Sequence, residues 1–573
     1  MFRAFPNSAV RVAGVRVAGV SARRISTQPG SGSGLGSRTR NTQHPHTHHS
    51  RSHSHPRPRK PTYDGTGKLQ ANDSYLLSQR VRELSQRSKF DEALKLVLSE
   101  SRGEGLANVV VWNQLLQESR VAQNSNPTET YKLFMDMKKR GITPNSRSYT
   151  ILFRAFSGGE KDRPSKKTLE AALTVFRQLG SYHAYLREEM DEEIIQEESS
   201  VLPINAYLAL LAKVAHSYEM MKIFDDMAQS GPSSPDLYTY TTIFQGLLRA
   251  GQAEDVERGH ELWRVYFARL KQASIDADNG GAENATQSLQ RLTPDTALIS
   301  NVLRLFTKGT PKDCKAGLMI AHTFLSVPAP SPFIERQKGY LPRVELNDRV
   351  IDSLFHLGLA AGRPSLVIRH ADHLLNQEKV RSFLRTRSMF FALLACAREG
   401  DAGKAIEYLR VMRSLKHGQP DAQSFEQAMA AAMRAQNASY KKACEVWEMV
   451  QATKTPVDIR IMSSLMKASL NERDVDVWDA LEKLSGFPLS AFFNAKTHAA
   501  HPNDSRGQLK HQQFWEHRLA KSLLQAVDRV GRGEHVNIPG KTRRHDEMLD
   551  EYADMARTVL GVEQRAPRKQ HKQ

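Results

Sequence analysis

Val109-Val110-Val111-Trp112-Asn113-Gln114-Leu115-Leu116 opens a stretch that runs on through Leu133-Phe134, Met137 and Gly141-Ile142 and closes on Pro144-Asn145. Apolar residues at three- and four-residue spacing predict a pair of helices, and the Gly and Pro-Asn that follow predict a stop and a new start. The pattern recurs. Leu237-Tyr238-Thr239-Tyr240-Thr241-Thr242-Ile243-Phe244 is followed by Leu247 and Gly251 at the same offsets. Asn205, Lys213, Phe224, Met227 and Pro235-Asp236 keep the register, as do Gly400, Ala405, Met412 and Pro420-Asp421, and Ala443, Trp447 and Pro456 to Asp458. Phe90 to Leu94 matches the start of a second helix. Self-similarity at one period predicts a tandem array in which each helical hairpin buries its apolar stripe against its neighbours. Leu115, Phe134, Met137, Ile243, Leu247, Phe224, Met227 and Met412, with Trp112 and Trp447, are therefore expected in the core.

These residues resemble the pentatricopeptide repeat family, whose unit of about 35 residues is a helix-turn-helix ending in Pro-Asp or Pro-Asn. The tetratricopeptide pattern fits less well, because its Trp, Leu-Gly and Tyr signature is absent. The resemblance covers roughly residues 74–485 and implies an all-α fold, a right-handed superhelical α-solenoid. It also implies a site. At the fifth position of successive units stand Ser78, Asn113, Thr150, Asn205, Thr241, Ser300 and Ser463, short polar residues that helix propensity does not favour. In the family, this position and the last residue of the unit read one RNA base per repeat. Carried over, Asn205 with Asp236 resembles a uridine reader and Thr241 with Asp295 a guanosine reader. Asn113 with Asn145 resembles a pyrimidine pair favouring cytidine, and Ser78 with Asn108 an adenosine reader. Val110 and Tyr238, at the second position, resemble the residues that sandwich each base. Phe390 and Glu426 at the fifth position depart from the pattern. So do insertions near 158–167, 180–203, 271–293 and 327–343, which leave the pairing of Thr241 with Asp295 open. The other reading of the fifth position is that small polar residues merely tolerate an exposed concave face.

Lys213, Arg249, Lys308, Arg398 and Arg434 share the thirteenth position, near the end of each first helix. Such a ladder of cations matches an RNA phosphate backbone. Cations also favour helix C-termini for dipole reasons, so both readings stand. Glu188 to Glu198 holds seven carboxylates and reads as a solvated loop or helix rather than an RNA contact.

The formal charge of +19 is uneven: residues 1–63 hold eleven basic residues and no acid, leaving 70 basic against 62 acidic residues for the rest. Residues 1–26, with Arg3, Arg11, Arg16, Arg23 and Arg24, have the composition of a mitochondrial transit peptide and predict delivery to the matrix. Residues 27–73 are a Gly/Ser/His/Pro/Arg-rich linker, expected to be disordered. Residues 486–573 break the register and read as a helical cap with a basic tail.

No apolar run is long enough to span a bilayer. Three separated cysteines offer neither a disulfide framework nor zinc spacing. No phosphate-binding Gly-Lys-Ser/Thr loop, His-Glu-x-x-His helix or deaminase motif is present. The expectation is a protein without catalytic residues, metal, cofactor or small-molecule substrate. It is expected to bind single-stranded mitochondrial RNA and to act in organellar RNA maturation, stability or translation, as in processing of small-subunit rRNA 5′ ends or in mRNA expression. The alternative is a structural or assembly component of the mitochondrial ribosome, with the small subunit as partner and the repeats as a protein scaffold.

Overall fold

The computed structural model describes residues 74–101, 106–122, 126–158, 163–189, 198–278, 283–328, 341–437, 439–453, 455–472, 477–489, 493, 506–532 and 543–561. By contacts the chain divides into residues 1–62 and 63–573, and every described residue belongs to the second unit. The expected transit peptide and linker, residues 190–197 of the acidic insert and the basic tail lie outside the described residues.

Among the described residues ten helical hairpins follow one another. Their first helices are Ser74–Gln86, Val109–Ala122, Ser146–Ser157, Leu202–Val214, Leu237–Ala250, Thr296–Thr307, Asp348–Ala360, Thr386–Glu399, Ala422–Arg434 and Ile459–Asn471. Their second helices are Phe90–Ser99, Pro127–Lys139, Lys166–Glu189, Ser217–Asp225, Ala253–Asp278, Pro311–Phe324, Pro364–Leu375, Ala402–Met412, Ser439–Ala452 and Val477–Ser485. Each first helix packs on the first helix of the next hairpin, without a break from Ser74–Gln86 to Ile459–Asn471, and the last rests on Arg506–Gly531. That helix pairs with Arg543–Leu560 to close the stack. Among the described residues the only bridge is the isolated pair Leu325 and Val344. The architecture is an all-α solenoid.

The residues expected in the core are buried, Leu115, Phe134, Met137, Ile243, Leu247 and Met412 completely. Burying each such side chain is worth about 1.5–3 kcal/mol, and most of the gain is made between hairpins. The Asp or Asn that ends a unit has a local reason to be there, since it caps the next first helix. Asn145 accepts from Ser148 N at 3.2 Å, Asp236 from Thr239 N at 2.9 Å, Asp295 from Leu298 N at 2.8 Å and Asp421 from Ser424 N at 2.8 Å. Each cap contributes about 1 kcal/mol. The insertions near 180–203 and 271–293 are partly helical: Lys166–Glu189 and Ala253–Asp278 overrun the usual second helix, and Glu283–Leu292 adds a further one.

Between the sixth and seventh hairpins, His322 and His370 meet in the core with their Nε2 atoms 3.2 Å apart, and His370 Nε2 lies 3.2 Å from Pro328 O. The carbonyl only accepts, so His370 holds its proton on Nε2 and His322 presents an acceptor there. Burial, then the neighbouring His322, lowers the His370 pKa to about 3. A folded pKa below the unfolded value of about 6.5 means that this stability is complete above pH 6.5 and is lost on acidification. Unfolding at pH 5 is therefore expected to cost about 2 kcal/mol less than at pH 7 on account of His370 alone. Replacing His370→Leu should flatten that slope, as read by urea denaturation at both pH values, and an unchanged slope would refute the assignment.

Candidate nucleic-acid interface

Two repeats carry the same polar network. In the fourth, Asn205 Nδ2 donates to Asp236 Oδ1 at 3.0 Å and Thr239 Oγ1 donates to Asn205 Oδ1 at 2.6 Å. In the second, Asn113 Nδ2 donates to Asn145 Oδ1 at 3.1 Å and Ser148 Oγ donates to Asn113 Oδ1 at 2.6 Å. The hydroxyl's single proton goes to the fifth-position amide. The capping oxygen receives the backbone N–H of the next helix. Both amides are thereby fixed in orientation, and each network leaves one edge free of the capping role. In the fourth repeat that edge comprises the second N–H of Asn205 and Asp236 Oδ2. In the second it comprises the second N–H of Asn113 and Asn145 Nδ2.

Asn205 and Asp236 line a cavity of 380 Å³ flanked by Leu202 and Tyr238, with Arg120 and Arg154 at its rim. Leu202 and Tyr238 are 53% and 57% exposed. Tyr75 and Val110 hold the same second position in the first two repeats and are also exposed. Tyr75 and Leu202 were not expected from sequence. The signal was their register, which pairs them with Val110 and Tyr238.

The other fifth positions are arranged differently. Ser78 Oγ turns back to Tyr75 O and Thr150 Oγ1 to Ser146 O. Ser300 Oγ lies 3.0 Å from Ser353 Oγ. Thr241 Oγ1 and Ser463 Oγ are buried with no hydrogen-bond partner among the described residues. Asn108 caps its helix through Val110 N and Val111 N. Asp295 stands at the N-cap of Thr296–Thr307, equivalent to Asp236, so the insertion does not displace the end of the Thr241 unit.

Later repeats close this edge with ion pairs. Arg460 joins Glu426 at 2.7 Å and Asp458 at 2.6 Å, filling the fifth and last positions of the ninth repeat. In the seventh, the fifth position is Asp352, which sequence reading passed over because the insertion near 327–343 hid the start of the unit. Ser388 Oγ donates to it at 2.6 Å and Arg387 pairs with it at 3.6 Å. Burial nonetheless pushes its carboxyl above the usual range, against the pull of Ser388 and Arg387.

The cation ladder has a structural task. Lys213 Nζ donates to Ser157 O at 2.7 Å, Arg249 to Ala212 O at 3.0 Å and Lys308 to Leu248 O at 2.7 Å. Arg398 donates to Leu359 O and Arg434 to Ala397 O, both at 2.7 Å, and Asn471 Nδ2 to Met433 O at 3.0 Å. In every case the thirteenth residue reaches the twelfth carbonyl of the preceding repeat, where a helix end leaves acceptors unfilled. Gly251 makes room for this: its φ is +67°, and a Cβ there would come within 2.5 Å of Lys308 Nζ. Arg249, Lys308, Arg398 and Arg434 remain exposed, so their charge also reaches solvent.

Glu198, at the end of the acidic insert, is half-buried and tied to its neighbours where a solvated side chain was expected. It accepts from Asn145 Nδ2, Ser146 N and Tyr182 Oη. Among the described residues no cluster of His, Cys, Asp and Glu is arranged to hold a metal, and no helix is long and apolar enough to cross a membrane.

The PPR repeat family matches residues 107–158. The Schizosaccharomyces pombe pentatricopeptide repeat-containing protein 2, mitochondrial, is 22% identical over 214 residues, 36% of this chain and 45% of that protein. The chain thus spans less than half the length of this curated relative. Among solved structures, pentatricopeptide repeat protein PPR10 in complex with an 18-nt psaJ RNA element is 14% identical, with a TM-score of 0.27, covering 87% of this chain and 80% of that one. PPR10 from maize gives 16% identity and a TM-score of 0.26 over 87% and 79% of the two chains.

The ladder predicts a loss of stability that does not depend on any ligand. Arg398→Met and Arg434→Met keep the aliphatic stem but remove the bond to the carbonyl. Each should lower unfolding stability by about 1 kcal/mol, seen as a shift of the urea midpoint; two unshifted midpoints would show that these contacts are energetically idle.

Proposed function

We propose that this protein, a chain of pentatricopeptide repeats, holds single-stranded RNA along the face that carries the second, fifth and last positions of its repeats. The observation that carries the reading is the duplicated network of Asn205, Asp236 and Thr239 and of Asn113, Asn145 and Ser148. The fourth repeat places it in a cavity between two exposed apolar side chains. A base is flat and apolar on its faces and polar on its edge. Leu202 and Tyr238 match the faces, and Asn205 and Asp236 match the edge. The free Asn205 N–H is a donor for a base carbonyl, and Asp236 Oδ2 is an acceptor for a ring N–H. Uridine and guanosine both offer that pair side by side, and the resemblance of Asn205 with Asp236 to the family's uridine pair favours uridine.

The chain acts, in this reading, by occupancy in the mitochondrial matrix. A bound segment is shielded from nucleases, fixes a processed end or leaves a translation start open, on rRNA or mRNA. The mitochondrial name of the fission yeast relative and the arginine-rich, acid-free residues 1–26 support the location. Exposed charge on Lys308, Arg398 and Arg434 supplies attraction without sequence information. The small ribosomal subunit is a possible site of action through its RNA.

Asp236→Asn keeps the capping oxygen and turns the outer acceptor into a donor. It is expected to move the preference of the fourth repeat from uridine to cytidine, by on the order of 1–3 kcal/mol, in titrations on RNAs that differ at one base. RNA binding with no change of preference would rule out base reading there, and failure to bind any RNA would favour the protein-scaffold reading. Deleting residues 1–26 should leave a tagged protein in the cytosol; undiminished import would remove the transit-peptide assignment.

A further inference from the structure

The carboxylate of Glu198 lies against the last residue of the second repeat. Asn145 Nδ2 reaches its Oε1 at 3.4 Å, while Ser146 N and Tyr182 Oη reach Oε2 at 3.4 and 3.2 Å. Ser146 Oγ donates to the Glu198 carbonyl, which anchors the backbone as well. The residue comes from the insertion ahead of the fourth repeat, yet it lines a cavity of 730 Å³ together with Asn145, Arg147, Thr150, Arg154 and Leu202.

Asn145 cannot turn its amide over, because Oδ1 is held by Ser148 N and Asn113 Nδ2. Its nitrogen therefore stands where the fourth repeat has Asp236 Oδ2. Taken alone, the second repeat would present a donor at that point beside the second N–H of Asn113, and select a base with a carbonyl next to a ring acceptor, which is cytidine. Glu198 accepts one of the two N–H groups of the Asn145 amide and sets a carboxylate, which accepts and cannot donate, beside it in the same cavity. A cytidine N3 lone pair facing that carboxylate meets repulsion, whereas a ring N–H meets an acceptor.

We propose that Glu198 is a third base-selecting residue of the second repeat, turning its preference from cytidine toward a base with a ring N–H, uridine or guanosine. This rests on the RNA-reading function above and adds a side chain from outside the repeat register to it.

The test is selection of random single-stranded RNA by the full chain, its Asn113→Thr variant, and the Glu198→Ala and Glu198→Gln variants at one salt concentration. The base position that responds to Asn113→Thr belongs to the second repeat. The unaltered protein should select uridine or guanosine there, and both Glu198 variants should move toward cytidine by roughly tenfold. The position read by Asn205 and Asp236 should stay as it was. Glu198→Gln keeps the reach and a hydrogen bond to Asn145, so its shift separates base selection from simple loss of packing. Cytidine selected by the unaltered protein, no position responding to Asn113→Thr, or an unchanged preference in both Glu198 variants overturns the role of Glu198. If the fourth repeat's base is still read in that case, the RNA function stands. No selected sequence at all overturns both.

Discussion

A single helical hairpin of this length cannot hide its own apolar stripe, and everything else in the molecule follows from that. Leu115, Phe134, Met137, Ile243 and Leu247 are fully buried in a stack whose successive hairpins pack on one another. Stability is therefore a property of neighbouring pairs. The chain strengthens many of its joints at two points, by a side-chain cap at the start of a first helix, which Leu202–Val214 and Thr386–Glu399 lack, and by the thirteenth side chain at its end where that residue is Lys, Arg or Asn. Both are hydrogen bonds to backbone groups that a helix terminus leaves unfilled. The closing helix Arg506–Gly531 continues the device: Arg529 donates to Glu472 O at 3.1 Å, beyond the end of the last repeat's first helix.

The cap also explains why the last residue of a unit can be rigid. Asp236 is held by Thr239 and Asn205, and one of its oxygens is committed to the helix it starts. A side chain fixed by the fold presents its remaining atom without an entropic cost at the moment of contact. The same economy makes the last position ambiguous to a sequence reader. Asp and Asn are good N-caps whether or not they touch a base.

The helical class, the repeat and the core were legible because periodicity and the Gly and Pro-Asp punctuation report directly on burial and helix ends. The pairs Asn205–Asp236 and Asn113–Asn145 were legible once the family resemblance was laid on the register, and the structure brings each pair within hydrogen-bond distance. What register could not show is where a polar atom points. Thr150 and Thr241 share a residue type and a position, yet one bonds its own helix and the other has no partner among the described residues. The capping boxes at Asn145 to Ser148 and Asp236 to Thr239 were present in the sequence and would have foretold the third member of each network. Asp352 was lost behind an insertion. Glu198 approaches from outside the register, and no pattern of spacing points to it. The cation ladder was equally compatible with phosphate and with helix ends, and only the distances distinguish what each side chain touches.

Arg460 draws Glu426 and Asp458 together, and Arg387 does the like with Asp352. An edge occupied by its own ion pairs stores no message. On the RNA-reading proposal, the number of hairpins therefore overstates the information this surface can hold, and a target read in this way would be only a few letters long. Short words recur by chance in any large collection of sequences. If the proposed function holds, such a reader would be selective only where the library is small, as in the compact genome of an organelle.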